Sequence, residues 1–177
     1  MPNIFVSFIR IKRIQGKEYA YLVENHWQNN SSRQKVKDYL GKVIKFEKNQ
    51  VSYQIDTTKQ IKDYILELVK KELISHGFKE DKEIFTNQEI SIKLDDLSFK
   101  KGSKEIVLLL NEGFLCKKTV DDLINFKIMP EENEQNVAIR LAKTILESGL
   151  KTSHEEFVSL YEKIIPQKKQ EKFEIYY

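Results

Sequence analysis

Side chains able to do acid–base, nucleophilic or ligating chemistry are few and scattered. His26, His76 and His154 share no ligand spacing such as His-x-x-x-His, and each reads as a surface or capping residue. Cys116 is the single cysteine, follows Phe114 and Leu115, and has no histidine near it in sequence. It reads as a small core residue rather than a nucleophile. One cysteine also excludes an intramolecular disulfide framework and a cysteine-based zinc cluster. The doublets Asp95-Asp96, Asp121-Asp122 and Glu131-Glu132 read as turn and helix-start charges rather than a magnesium site. The 6 glycines stand singly, so no phosphate-cradling loop forms, and no G-x-S-x-G occurs. The expectation is a non-enzymatic protein with no cofactor, no metal and no catalytic residue.

Cations and rings remain, and they are unevenly placed. The chain has 177 residues and a formal net charge of +3. Residues 1–50 carry 10 Lys and Arg against 4 Asp and Glu, a net of +6, whereas residues 51–177 are net −3. Three of the four arginines (Arg10, Arg13 and Arg33, but not Arg140) lie in that basic portion. A local excess matters more than the total, because charge acts over about 8 Å at physiological salt. Arginine also suits planar phosphate and base contacts. A solvated basic surface without a ligand is the plain alternative.

Those residues need a sheet to gather them. Ile4–Ile14 and Glu18–Trp27 are rich in β-branched and aromatic residues and are separated by Gln15-Gly16-Lys17. Asn29-Asn30-Ser31-Ser32 marks a second turn before Arg33–Leu40, which Gly41 ends, with Val43–Phe46 a further short strand. A three-stranded antiparallel meander follows, with a short helix the alternative for residues 33–40. With Ile14 opposite Tyr19 and Trp27 opposite Arg33, one face carries Arg10, Lys12, Tyr19, Tyr21, Arg33, Lys35, Lys37 and Tyr39. The other face carries Ile9, Ile11, Ala20, Leu22, Gln34, Val36 and Leu40. That register buries valine and leucine rather than unpaired ammonium groups. Phosphates or bases would then meet Arg10, Lys12, Arg13, Arg33, Lys35 and Lys37, supported by Tyr19, Tyr21 and Trp27. A twisted ribbon fits a major groove, whereas exposed rings suit unpaired bases. The same rings could instead pack beneath the rest of the chain.

The run Ile9 to Val43 resembles the amino-terminal leader of insertion-sequence transposases of the IS4/IS1634 type. The matching residues are Arg10, Lys12, Gly16, Tyr19, Tyr21, Leu22, Val23, Glu24, Arg33, Gln34, Val36, Tyr39, Leu40 and Gly41. Short archaeal proteins of unassigned function have a similar opening. The resemblance covers about a fifth of the chain and implies a DNA-contacting module. It does not extend to a nuclease domain, which needs three separated carboxylates on a much longer chain.

Further along, Val51–Ile55 reads as a strand finishing the sheet, and Asp56 or Thr57 as the cap of a helix carrying Ile61, Ile65, Leu68, Val69 and Leu73. Gly77 stops that helix. Lys79–Glu89 reads as a polar loop. A second hairpin spans Ile90–Leu94 and Lys104–Leu110 around Lys101-Gly102-Ser103, extended by Gly113–Cys116. Three helices follow: Thr119–Phe126 with a Thr119/Asp122 capping box, Glu131–Ser148 closed by Gly149, and Ser153–Ile165 with a Ser153/Glu156 box, stopped by Pro166. A final strand could start at Phe173. No apolar run approaches the ~18 residues of a membrane span, and no signal peptide opens the chain, so a cytoplasmic location is expected.

The fold class expected is α+β. Residues 1–78 form a basic sheet-plus-helix module for nucleic acid, DNA ahead of RNA. Residues 79–177 form an α+β module for a homo-oligomer or a protein partner. An RNA- or ribosome-associated protein and a protein–protein adaptor are the alternatives.

Overall fold

The computed structural model describes residues 7–28, 31–49 and 52–174. The chain opens with three strands, β1 (Ser7–Ile14), β2 (Lys17–Gln28) and β3 (Ser31–Lys45), followed by α1 (Ile61–Ser75). Then come β4 (Lys79–Asp81), β5 (Ile84–Asn87), β6 (Ile90–Lys93), β7 (Ser98–Lys101), β8 (Lys104–Leu110) and β9 (Gly113–Leu115). The helices α2 (Lys117–Ile124), α3 (Glu134–Glu147) and α4 (His154–Glu174) complete an α+β fold. Ile4 to Val6, Asn29-Asn30, Val51 and the residues after Glu174 lie outside the described residues.

Strands pair in the order β1-β2-β3-β8-β7-β6-β5-β4, with β9 also on β8. The β3–β8 pair is parallel, Lys42 to Lys45 opposite Ile106 to Leu109, and the other pairs are antiparallel. The sheet therefore runs across residue 78. So does the main core: Tyr64, Ile65, Leu68 and Leu73 of α1 meet Phe85, Ile92, Phe99, Leu108 and Leu110 of the later strands and Leu141, Ile145 and Leu160 of α3 and α4. A smaller core joins Ala20, Ile9, Ile11 and Leu40 of the ribbon to Val43, Val107, Leu109, Phe114 and Cys116. Of the apolar ribbon face expected from the sequence, Ala20 and Leu22 are buried and Ile9, Ile11 and Leu40 half-buried, whereas Gln34 and Val36 are exposed, Val36 by 45%.

Several local readings need correction. β3 is one long strand, passing through Gly41 to Lys45, so neither a helix nor a break occurs there. Residues 52–56 form no strand. Asp56 does not cap α1; its carboxylate accepts from Thr58 N at 2.9 Å and Thr58 Oγ1 at 2.6 Å, closing a local turn, and Gln60 is the N-cap. Lys79–Glu89 forms the β4–β5 hairpin, in which Phe85 alone is buried, and β7 adds a strand with only Phe99 inward. Cys116 caps α2, and Thr119 Oγ1 accepts from Cys116 N at 3.1 Å; Asp122 pairs with Lys118 instead. α3 starts at Glu134 under Asn133, whose Oδ1 accepts from Asn136 N at 2.8 Å. α4 continues past Pro166 and Phe173, because a proline deletes one i→i−4 bond without forcing a helix to end.

Other signals are met. At the end of α1, Gly77 (φ +84°) lets Gly77 N donate to Ile74 O and Phe78 N to Leu73 O, each at 3.0 Å. At the start of α4, Ser153 Oγ accepts from Glu156 N at 3.2 Å and Glu156 Oε2 from Ser153 N at 2.7 Å.

One clasp has no sequence signature. Glu72 is fully buried on α1. Its carboxylate accepts from Asn111 Nδ2 at 3.1 Å, Lys151 N at 3.1 Å and Lys48 Nζ at 3.4 Å. It thereby ties α1 to the stretch after β3, the β8–β9 turn and the α3–α4 link. His76 is buried at the C-cap of α1 rather than on the surface, its Nδ1–H donating to Glu72 O at 2.7 Å.

Candidate nucleic-acid interface

The first hairpin turns at Gln15 and Gly16, whose φ values of +49° and +74° suit a two-residue turn. Ile14 pairs with Lys17, Lys12 with Tyr19 and Arg10 with Tyr21. That is two residues away from the register expected from the sequence. An even step leaves each side chain on its expected face, so Arg10, Lys12, Tyr19 and Tyr21 share one side. Arg13 lies on the other, opposite Glu18 and in line with Ile9 and Ile11.

The second hairpin is irregular. Tyr21 opposite Tyr39 and Leu22 opposite Asp38 match the expected pairing. Register shifts flank them, between Ala20 and Tyr21 and between Leu22 and Val23, where β3 holds the extra residues Leu40 and Lys37. Beyond Lys37 the pairs become Val23–Val36, Glu24–Lys35, His26–Arg33 and Trp27–Ser32. This corrects the expectation for the third strand. Arg33 and Lys35 are exposed but lie on the side of Glu24, away from the tyrosines, and Val36 takes the tyrosine side. Lys37 is ion-paired with Glu24, and that hydrogen bond holds the Glu24 carboxyl below its ordinary range. Trp27 sits in β2, and its side chain lies outside what is described. The structure thus brings Arg10 and Lys12 together with Tyr19 and Tyr21, and separates them from Arg13, Arg33, Lys35 and Lys37.

Tyr39 completes the ring face. Its centroid is 5.3 Å from that of Tyr21 and 6.4 Å from that of Tyr19, in tilted geometry. Lys12 Nζ stands 5.0 Å above the Tyr21 ring, and Arg10 donates to Gln34 Oε1. With those neighbours engaged, Tyr39 still leaves 49% of its surface to solvent. Partial burial, then the adjacent phenols of Tyr21 and Tyr19, push its own phenol up, so it is neutral at physiological pH.

Beside these rings the β5–β6 and β7–β8 turns form a facing wall. Between ribbon and wall lies an open groove of about 760 Å³, lined by Tyr19, Tyr39, Lys17, Lys42, Lys101 and Lys104, with Glu89 and Glu105 among its acids. Lys101 pairs with Glu89 at 3.1 Å. Lys17, Lys42, Lys101, Lys104 and Tyr39 are absent from the contacts chosen from sequence. Tyr39 was legible as a face residue from strand alternation. Lys101 and Lys104 were not, because only the parallel β3–β8 pairing brings their turn beside Tyr19.

Elsewhere, burial pushes the Cys116 thiol up, which disfavours the reactive thiolate. Among the described residues no three His, Cys, Asp or Glu side chains are grouped to hold a metal ion, and no helix is long and apolar enough to cross a membrane. No protein-family model, curated protein or solved structure matches the chain.

Proposed function

We propose that the chain is a non-enzymatic nucleic-acid-binding protein whose contact surface is the tyrosine face of β1–β3. The observation that carries this reading is the placement on one face of exposed Arg10, Lys12, Lys17 and Tyr39 with half-buried Lys42, Tyr19 and Tyr21. Ammonium and guanidinium groups neutralise phosphates and release counterions, while neutral phenols offer π-faces to bases. DNA is favoured over RNA by the resemblance of residues 9–43 to transposase leaders; competition between structured RNA and DNA separates the two. Arg33 and Lys35 serve this surface only through long-range charge, since they occupy the opposite side. A protein partner is the second reading, supported by Ile139 and Leu146, which are 60% and 63% exposed on α3.

The test is a salt titration of DNA binding by the full chain, because β3 needs β8 as its neighbour. Affinity should fall linearly on a log–log plot, with a slope of about −0.9 per phosphate on duplex and −0.7 on single strands. Joint reversal of Arg10 and Lys12 to Glu should weaken binding at least tenfold, and reversal of Arg33 and Lys35 far less. Salt-independent binding, or none at low salt, would retire the proposal.

A further inference from the structure

We infer that the groove between the ribbon and the Lys101–Lys104 turn receives an unpaired nucleic-acid strand, with one base stacked on Tyr39. This inference rests on the nucleic-acid reading above and narrows its ligand. Ring and cation placement carry it. Tyr39 is flanked by Tyr19 and Tyr21 on the sheet and half open above it. Lys17 and Lys42 stand on the ribbon side of the groove, and Lys101 and Lys104 on the wall side. Four ammonium groups against Glu89 and Glu105 leave the lining net positive, complementary to a phosphate backbone.

Shape decides between a single strand and a duplex. A ribbon reads duplex DNA by entering a major groove about 12 Å wide. Here Lys101 and Lys104 line the same groove as Tyr19 and Tyr39, so a duplex would have to admit ribbon and wall together. The bulge at Lys37 also removes Arg33 and Lys35 from the face that would enter. A flexible strand needs neither condition: its bases can turn toward Tyr39 while its phosphates follow the lysines. The proposed site residues are Tyr39, Tyr19, Lys17, Lys42, Lys101 and Lys104.

The experiment compares a fluorescent oligothymidylate with a DNA hairpin duplex of equal phosphate count, using the full chain and fluorescence anisotropy. The oligothymidylate should bind more tightly. Tyr39→Ala should weaken it about 5- to 150-fold, the span of one lost base–aromatic stack, and Tyr39→Phe should retain binding. Lys104→Ala should flatten the single-strand salt slope by about 0.7. Circular dichroism shows whether each variant is folded, and the half-exposed Tyr39 allows both substitutions. Stronger binding to the duplex, or an oligothymidylate affinity indifferent to Tyr39→Ala, overturns this inference and leaves the wider reading standing. Polyphosphate binding as tightly as the oligothymidylate also overturns it, because stacking then contributes nothing. Failure of both DNAs to bind overturns the two readings together.

Discussion

Replacing Gly41 by alanine tests the register on which the site depends. Gly41 lies in β3 between the ring of Tyr39 and the ammonium of Lys42, where the strand meets β8. Its φ is +133°, outside the range that side-chain-bearing residues tolerate. A Cβ at this position would stand 2.7 Å from Glu105 O and 2.8 Å from both Glu105 C and Ile106 Cα. All three are backbone atoms of the neighbouring strand, so relief requires opening the ladder in which Lys42 faces Ile106. Backbone strain of about 1–3 kcal/mol and overpacking of about 1–3 kcal/mol give a cost of roughly 2–6 kcal/mol. For a chain of this size that lowers the melting temperature by roughly 4–24 °C. Gly16→Ala is the control: its φ is +74° but nothing lies within 4 Å of a Cβ there, so only the backbone term of about 1 kcal/mol applies. Thermal and urea unfolding of both variants gives the comparison. Should Gly41→Ala melt within a degree of the parent, β3 does not pass β8 as described. The placement of the bulges, and with it the face shared by Tyr39 and Lys42, would then be wrong.

Two further predictions concern buried acids. Glu72→Ala leaves Lys151 N and Lys48 without their buried acceptor and should cost about 3–5 kcal/mol in urea unfolding; Glu72→Gln, which keeps an acceptor oxygen, should cost less, and equal losses would mean that volume rather than hydrogen bonding dominates. For Glu67, burial pushes its carboxyl up, but hydrogen bonds from Lys59 and Tyr53, each at 2.8 Å, outweigh it and hold the group below its ordinary range. A carboxyl depressed in the fold contributes stability above its unfolded pKa of about 4.3 and loses it as pH falls through the folded value. Parent and Glu67→Gln melting curves should therefore differ at pH 7 and converge in acid; a constant gap would refute the linkage.

What the sequence shows depends on how local the determinant is. α1 announces itself through Ile61, Ile65, Leu68 and Leu73, and its end through Gly77, because helix periodicity and the left-handed C′ position are written within one segment. The Ser153/Glu156 box is equally local. β4 is not legible, since Lys79-Glu80-Asp81 are all exposed and its reason to exist is the backbone of β5. The parallel β3–β8 pair is hidden for the same reason at longer range: nothing in Lys42–Lys45 names residues 106–109 as partners. The site divides along this line. Arg10, Lys12, Tyr19 and Tyr21 follow from strand alternation and survive a two-residue error in register. Arg33 and Lys35 do not survive a one-residue bulge, and Lys37, the bulge residue, carries none of the usual glycine or asparagine signs.

That bulge has a physical logic which also bears on function. A strand alternates its side chains with period two, so a single extra residue exchanges the two faces from there onward. Without it, Lys35 and Lys37 would stand beside Tyr21 and Tyr39 and make a convex, uniformly basic ribbon. With it, Lys37 is bound to Glu24, and the tip's cations face away from the rings. The positive charge around Tyr39 is instead supplied from both sides of the β3–β8 junction: Arg10, Lys12, Lys17 and Lys42 from the ribbon, and Lys101 and Lys104 from a turn that reaches the site only through the β3–β8 pairing. The proposed binding surface therefore spans the β3–β8 junction. Cutting the chain after residue 78 would remove half of the groove's lysines and the strand that holds Gly41 and Lys42 in place. On the proposed reading, the amino-terminal segment alone should bind DNA more weakly than the intact chain, however basic its composition.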